Sequence, residues 1–302
     1  MLSKNINKYI ELHCSLGFNF RTPAILLRNF ASFADQRNEK FVTVQNVLEW
    51  ASLAPSPQQR RNRLLTVRRF ALMMNPEDSR HQIPPANAFG NLSFKRTSPY
   101  IYTEDEINKL LMAAEALSPQ GSIRPTAYST LIALLSSTGM RISEALALKL
   151  DDLTYDGLVI RKTKFHKSRL IPIHQTTRDG LCRYLKKREH FGALDNSIFI
   201  SLLGTAMNYN TVNPVFRELT RIAGLRNEHK QPRMHDLRHT FAVRSLEQCE
   251  ANPQAVKKHI VALSTYLGHS HVTDTYWYLQ ATPSLMKHIA EIGEKLHRGD
   301  VI

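Results

Sequence analysis

The stretch Pro232-Arg233-Met234-His235-Asp236-Leu237-Arg238-His239-Thr240-Phe241-Ala242 sets a histidine and an arginine three residues apart, where a helical pattern begins. Residues at i and i+3 share a helix face, so His235 and Arg238 can reach one ligand together. The opening turn of a helix has unpaired N–H groups and the positive end of the helix dipole, which suits a phosphate. An arginine, a titratable imidazole and a helix N-terminus are the parts of a phosphodiester clamp. A solvated helix face would carry the same two residues, so the segments on either side decide between the two readings.

The chain has 302 residues, enough for two domains. Hydrophobic residues make up 42%, which supplies ordinary globular cores. Forty Lys+Arg against 26 Asp+Glu give a formal charge of +14 and point to a polyanionic partner. No apolar run reaches the roughly 18 residues of a membrane span. Met1-Leu2-Ser3-Lys4 opens no signal-peptide core, so a cytoplasmic, DNA-associated bacterial protein is expected rather than one at a membrane. Cys14, Cys182 and Cys249 are far apart and match no zinc spacing, so buried, reduced thiols are expected.

Residues 1–82 read as helical throughout, with segments near 5–16, 21–36, 43–53 and 57–74. In the last, Leu64, Val67, Ala71 and Met74 form an apolar stripe. Arg61 and Arg68 run beside it, with Arg60, Arg63 and Arg69 nearby. Such a face is either simply solvated or lies along DNA phosphates. The prolines and glycine between Ile83 and Pro99 break the pattern and predict a linker over 83–100, with Lys95-Arg96 as its basic end.

A second domain is expected over 101–302. Thr103-Glu104-Asp105-Glu106 is a capping box. A buried helix follows over 125–138, closed by Gly139. Arg141 then stands at the mouth of a helix with Ser143 as candidate N-cap; its partner is either Glu144 or a phosphate, because a buried unpaired arginine is costly. Residues 157–163 and 168–173 read as strands flanking a basic tip, Thr163-Lys164-Phe165-His166-Lys167. Helices are expected at 176–190 and 210–224, the latter with Phe216, Leu219 and Ile222 inward, and from 235 to about 248. Another helix ends at Gly268, and an aromatic cluster, Tyr276-Trp277-Tyr278, follows. An amphipathic helix over 283–298 closes the chain.

Taken together these segments resemble the tyrosine recombinase, or phage integrase, family. The resemblance is strong over 101–302 and loose over 1–90. TGMRISEALAL (138–148) resembles the first arginine box, HDLRHTFA (235–242) the second, and LGHSHVTDTYWYL (267–279) the nucleophile box. The last box and the following TPSLM look like a subgroup associated with transposons and other mobile elements, less like the chromosome-dimer-resolving Xer enzymes. On this resemblance Arg141, His235, Arg238 and His269 fall on the family's catalytic positions, and Tyr278, nine residues after His269, on its nucleophile. Lys164 aligns with the catalytic lysine, with Lys162 and Lys167 as alternatives; Tyr276 is a second phenol two residues before Tyr278.

The resemblance implies a fold that is mainly α with a small β-sheet: a helical core-binding domain at 1–82 and an α+β catalytic domain, clamped around duplex DNA as a C. It implies that Tyr278 attacks the scissile phosphate and forms a 3′-phosphotyrosyl bond. Arg141 and Arg238 fork onto the non-bridging oxygens, His235 assists removal of the phenol proton, His269 hydrogen-bonds the phosphate, and Lys164 protonates the departing 5′-oxygen. One phosphodiester replaces another, so neither ATP nor a metal or other cofactor is expected. His235 and His239 form an HxxxH pair, but no glutamate follows the first histidine and no third zinc ligand is evident. The implied partners are a specific duplex site and three further copies on paired sites, with a monomer in solution allowed. Partner recombinases or accessory proteins and docking of 283–298 into a neighbouring copy remain open. Arg60, Arg61, Arg68, Lys95, Lys162 and Lys167 are the expected DNA-contacting residues. Type IB topoisomerase-like relaxation and a non-catalytic DNA-binding regulator stand as alternatives.

Overall fold

The computed structural model describes residues 2–90, 98–161, 168–249, 253–269 and 271–279. The chain divides into two compact units, Met1–Arg96 and Thr97–Ile302. Among the described residues no helix is long and apolar enough to cross a membrane.

The first unit holds α1 (Leu2–Ser15), α2 (Arg21–Asp35), α3 (Val44–Ser52) and α4 (Pro57–Met74). Thr43 and Ser56 cap α3 and α4 by accepting from the N–H groups of Asn46 and Gln59, and Pro57 opens α4, where no N–H is needed. Each helix turns its apolar stripe inward, so that Ile6, Leu27, Phe30, Val47, Trp50, Leu64, Val67 and Phe70 form one core. Residues after α4 also pack on this unit, whereas Cys14, expected to be buried, lies on the exposed side of α1. The buried His81 takes the Val42 N–H at its Nδ1 (3.2 Å), Arg68 donates to the Pro84 carbonyl (2.6 Å), and Phe89 packs on the helical core.

The second unit begins with α5 (Glu104–Glu115), whose Thr103–Glu106 box closes as expected. Helix α6 (Ile123–Thr138) starts two residues before Pro125, because Ser122 rather than the proline ends the preceding loop as N-cap. Apolar on nearly every side, α6 is the hub against which α5 and α8 (Gln175–Phe191) pack. Between α6 and α8 come α7 (Ile142–Ala147), a 3-10 turn at Leu150–Asp152, and the antiparallel strands β1 (Leu153–Thr154), β2 (Gly157–Ile160) and β3 (Arg169–Ile171). Strand β3 is shorter than the predicted 168–173, and Ile160 pairs with Arg169 at the last described rung. The tip with Lys162, Lys164 and Lys167 lies outside the described residues, as do Lys95 and 283–298.

Helix α9 (Tyr209–Ile222) buries Val212, Phe216 and Leu219, but Ile222 is exposed. At roughly 100° per residue, position i+6 from Phe216 lies about 120° off its face, so three-residue spacing alone misplaces Ile222. Helix α10 (Met234–Glu247) crosses α6 and is tied to the start of the unit by Thr240, which takes the Tyr102 N–H (3.0 Å). Helices α11 (Pro253–Leu267) and α12 (Thr273–Leu279) pack on α10 around a small satellite core containing Val243, Leu246, Leu263, Leu267 and Tyr278.

Gly157 has φ +145°, and a methyl group there would lie 2.2 Å from the Ile171 carbonyl oxygen. Gly157→Ala should therefore lower the unfolding free energy by roughly 2–4 kcal/mol in urea denaturation, combining φ strain with a backbone clash that no rotamer relieves.

Candidate active site

Gly139, left-handed at φ +60°, ends α6 and turns the chain so that Arg141 becomes the N-cap of α7. Ser143 is not the cap. The Arg141 N–H instead donates to Glu144 (2.9 Å), three residues on, and its guanidinium donates to the same carboxylate (2.9 Å). Arg169 of β3 adds a two-pronged pair to Glu144 (2.9 and 2.7 Å).

The C-terminal end of α11 gathers three guanidiniums. Arg169 donates to the Tyr266 carbonyl (2.9 Å), Arg238 to that of Leu267 (2.8 Å), and Arg141 to that of Gly268 (3.1 Å). The last carbonyls of a helix have no partner within it and carry the negative end of its dipole, which explains how three cations are held together. Arg238 also donates to the Gly139 carbonyl (2.8 Å). Its side chain is almost wholly buried, so burial lowers its pKa to about 10, opposed by Tyr278 and Glu144; it stays protonated at neutral pH. Three guanidiniums against one carboxylate favour an anion here.

Arg238 lies 2.9 Å from His269 Nε2. A guanidinium only donates, so Nε2 accepts and the proton sits on Nδ1, which donates to the Thr275 hydroxyl (2.7 Å). Burial, and then the Arg238 charge, lower the His269 pKa to about 4. Tyr278 stacks on His269, with ring centroids 6.0 Å apart, lies 5.4 Å from the His239 ring and is a hydrogen-bonding neighbour of Arg238. Tyr278 is 2% exposed and Tyr276 47%. His235 meets His239 edge-on at 4.7 Å and faces a cleft of about 800 Å³ lined by Tyr100, Tyr209, Arg217, Lys230 and Arg233. Partial desolvation, then Arg238, lower the His235 pKa.

The opening turn of α10, expected to receive an anion, already contains one. The buried Asp236 accepts the Arg233 N–H (2.8 Å) and pairs with its guanidinium (2.9 Å), which leaves anion binding to the arginines. Among the described residues no group of three His, Cys, Asp or Glu side chains suited to a metal ion includes His235 and His239. On α4, Arg60 donates to the Ala54 carbonyl (3.2 Å) while Arg61 is half-buried. Arg169, Thr275 and His239 as a neighbour of Tyr278 were not anticipated. An arginine immediately before the apolar Leu170-Ile171-Pro172-Ile173 run is the available signal for the first.

Acid should loosen this site in two stages. Burial and His235 hold His239 at about pKa 4, like His269, so the unfolded chain binds protons at both positions that the folded chain refuses. Stability is thus complete above about pH 6.5 and falls as pH drops toward 4. Burial alone would raise the Glu144 pKa, but Arg169 and Arg141 outweigh it and hold it at about 2, so its contribution is lost later, below about pH 4.5. Thermal midpoints measured from neutral pH downward should fall in both ranges, and removing either histidine should flatten the first.

Comparison with known proteins agrees with this architecture. Residues 101–284 match the phage integrase family. The putative integrase/recombinase y4rB of Sinorhizobium fredii (strain NBRC 101917 / NGR234) is 40% identical over 297 residues, covering 93% of each chain. The fold is similar to that of the XerH site-specific recombinase bound to palindromic difH substrate in a post-cleavage complex (TM-score 0.68, 21% identity, 97% of this chain and 85% of that one). It is also similar to a lambda integrase tetramer bound to a Holliday junction (TM-score 0.63, 20% identity, 92% and 76%). The family match and the 40% identical relative imply a DNA strand-cleaving and rejoining protein. The chain belongs to the phage integrase family of site-specific recombinases.

Proposed function

We propose that this recombinase cuts and rejoins duplex DNA through a 3′-phosphotyrosyl bond to Tyr278. The reading is supported most by the convergence of Arg141, Arg238, His269 and Tyr278 around the end of α11. The Tyr278 oxygen attacks the phosphorus as the bond to the 5′-oxygen breaks. Arg141 and Arg238 take the charge on the non-bridging oxygens, with a planar fork that lysine cannot copy. His269 hydrogen-bonds the phosphate from Nε2, in the tautomer whose Nδ1 accepts the Thr275 hydroxyl proton once the Arg238 guanidinium turns from Nε2 to the phosphate, and His235 helps take the phenol proton. Lys164 delivers a proton to the leaving oxygen; Lys162 and Lys167 are its alternatives. The phosphodiester is exchanged rather than hydrolysed, so the reaction needs no ATP, and the guanidiniums do the charge work without a metal. Arg60, Arg61, Arg68 and Lys95 add phosphate contacts, and four copies act on two duplexes, in keeping with the lambda integrase tetramer on a Holliday junction. The substrates are the ends of a mobile element.

The test is a covalent trap. Duplexes tiled across the DNA flanking the chain's own coding sequence are nicked, so that a cut strand diffuses away, and the products are run denatured. A protein–DNA adduct is expected on a few of these duplexes. Tight binding to them with no adduct on any would overturn the reading.

A further inference from the structure

His239 has no place in the mechanism above, yet it stands between two groups that do. Its ring is 4.7 Å from His235, one helical turn back, and 5.4 Å from Tyr278 on α12. Its Nδ1 is buried and has no hydrogen-bond partner among the described residues. A buried unsatisfied nitrogen is destabilising, so a purely structural side chain at this point would be better apolar. Tyr278 is itself buried in the satellite core, whereas His235 is exposed at the cleft. The phenol proton must therefore cross from an enclosed place to an open one.

We propose that His239 is a further catalytic residue, the relay that carries the Tyr278 proton to His235. The proposal rests on the reading of Tyr278 as nucleophile. As the tyrosine oxygen bonds to phosphorus, its proton passes to the free nitrogen of the neutral His239 imidazole. The ring gives up the proton on its other nitrogen to His235, which exchanges it with water in the cleft. The phenol proton ends in the cleft water while Lys164 gives one to the leaving 5′-oxygen, so the exchange is proton-neutral overall, and rejoining runs the same path backward. The charged and titratable groups around His239 are His235, Asp236, Arg233 and Arg238 of its own helix and Tyr278 of α12. Burial, and then His235, disfavour a second proton on the ring, so at neutral pH it is neutral, with one nitrogen protonated and the other free to accept.

The test follows single-turnover adduct formation on the nicked duplexes for the unaltered chain, His239→Phe and His239→Asn, from about pH 6 to about pH 10. At neutral pH the Phe variant should be roughly 10–100-fold slower, within the range of acid–base assistance. The deficit should shrink as pH rises, because an unassisted phenol must ionise by itself, ordinarily near pH 10. Its thermal midpoint should be unchanged or higher, since the unsatisfied nitrogen is gone. A duplex whose leaving 5′-oxygen is replaced by sulfur needs no protonation of the leaving group. It should rescue Lys164→Ala and leave the His239→Phe deficit intact. His239→Asn keeps a polar group near the Nδ1 position but cannot relay, so it should show the same deficit; should the Phe variant fail to fold, Asn decides. Variant rates equal to those of the unaltered chain would overturn the relay while leaving Tyr278 in place. So would a pH-independent loss accompanied by a lower thermal midpoint. An unaltered chain that forms no adduct removes the Tyr278 reading and the relay with it.

Discussion

Tyr278→Phe should abolish the covalent adduct, slowing cleavage by roughly 10⁴-fold or more, while Tyr276→Phe leaves it intact. The two phenols are two residues apart on α12, about 200° around the helix, so they cannot share one environment. Tyr278 is enclosed beside Arg238, His239 and His269, whereas Tyr276 is nearly half exposed. Phenylalanine at 278 keeps the ring volume in the core shared with Val243, Leu246 and Leu263, so the variant should fold within about 1 kcal/mol of the original and still bind DNA. A denaturing gel for the adduct, with circular dichroism and a DNA-binding isotherm on the same preparations, checks all three expectations. An adduct that survives Tyr278→Phe and disappears with Tyr276→Phe would move the nucleophile by two residues.

Arg238→Lys should cost both activity and stability. The guanidinium serves three acceptors at once, the Gly139 and Leu267 carbonyls and His269 Nε2, and a lysine ammonium lacks the planar fork to serve them in that geometry. Leaving buried acceptors unpaired should lower the unfolding free energy by roughly 2–4 kcal/mol. Cleavage should fall by about 10²–10³, the scale of losing a preorganised donor to a developing oxyanion. Arg141→Lys makes the informative comparison. That side chain is 32% exposed, so its replacement should hurt cleavage similarly and stability less. Urea denaturation and single-turnover cleavage of the two variants measure both effects. An Arg238→Lys protein that cleaves at the original rate would remove this arginine from the phosphate.

Much of the framework is local and was therefore legible. The Thr103–Glu106 box, the glycines after α6 and α11 and the stripe on α4 involve residues within a few positions of one another, where side chain and backbone decide together. The spacing of His235 and Arg238 belongs with these. Local rules failed where a neighbour in sequence had a better partner. Arg141 rather than Ser143 caps α7 because Glu144 returns to its N–H, and Ile222 turns outward because three-residue spacing drifts off a helix face.

The sequence by itself determined a mainly helical, two-unit basic protein and the residue types of its chemistry: the arginines, the histidines and two candidate tyrosines. Tertiary structure alone decided which of these meet. Arg141 reaches a carbonyl 127 residues away, Arg169 binds a carboxylate 25 residues before it, and Arg238 spans from the end of α6 to the end of α11. Tyr278 is buried and Tyr276 exposed, and the ring of His239 lies beside both Tyr278 and His235. No periodicity encodes such contacts, because they depend on how α6, α10, α11 and α12 pack their apolar faces, and packing energy is a property of the assembled core.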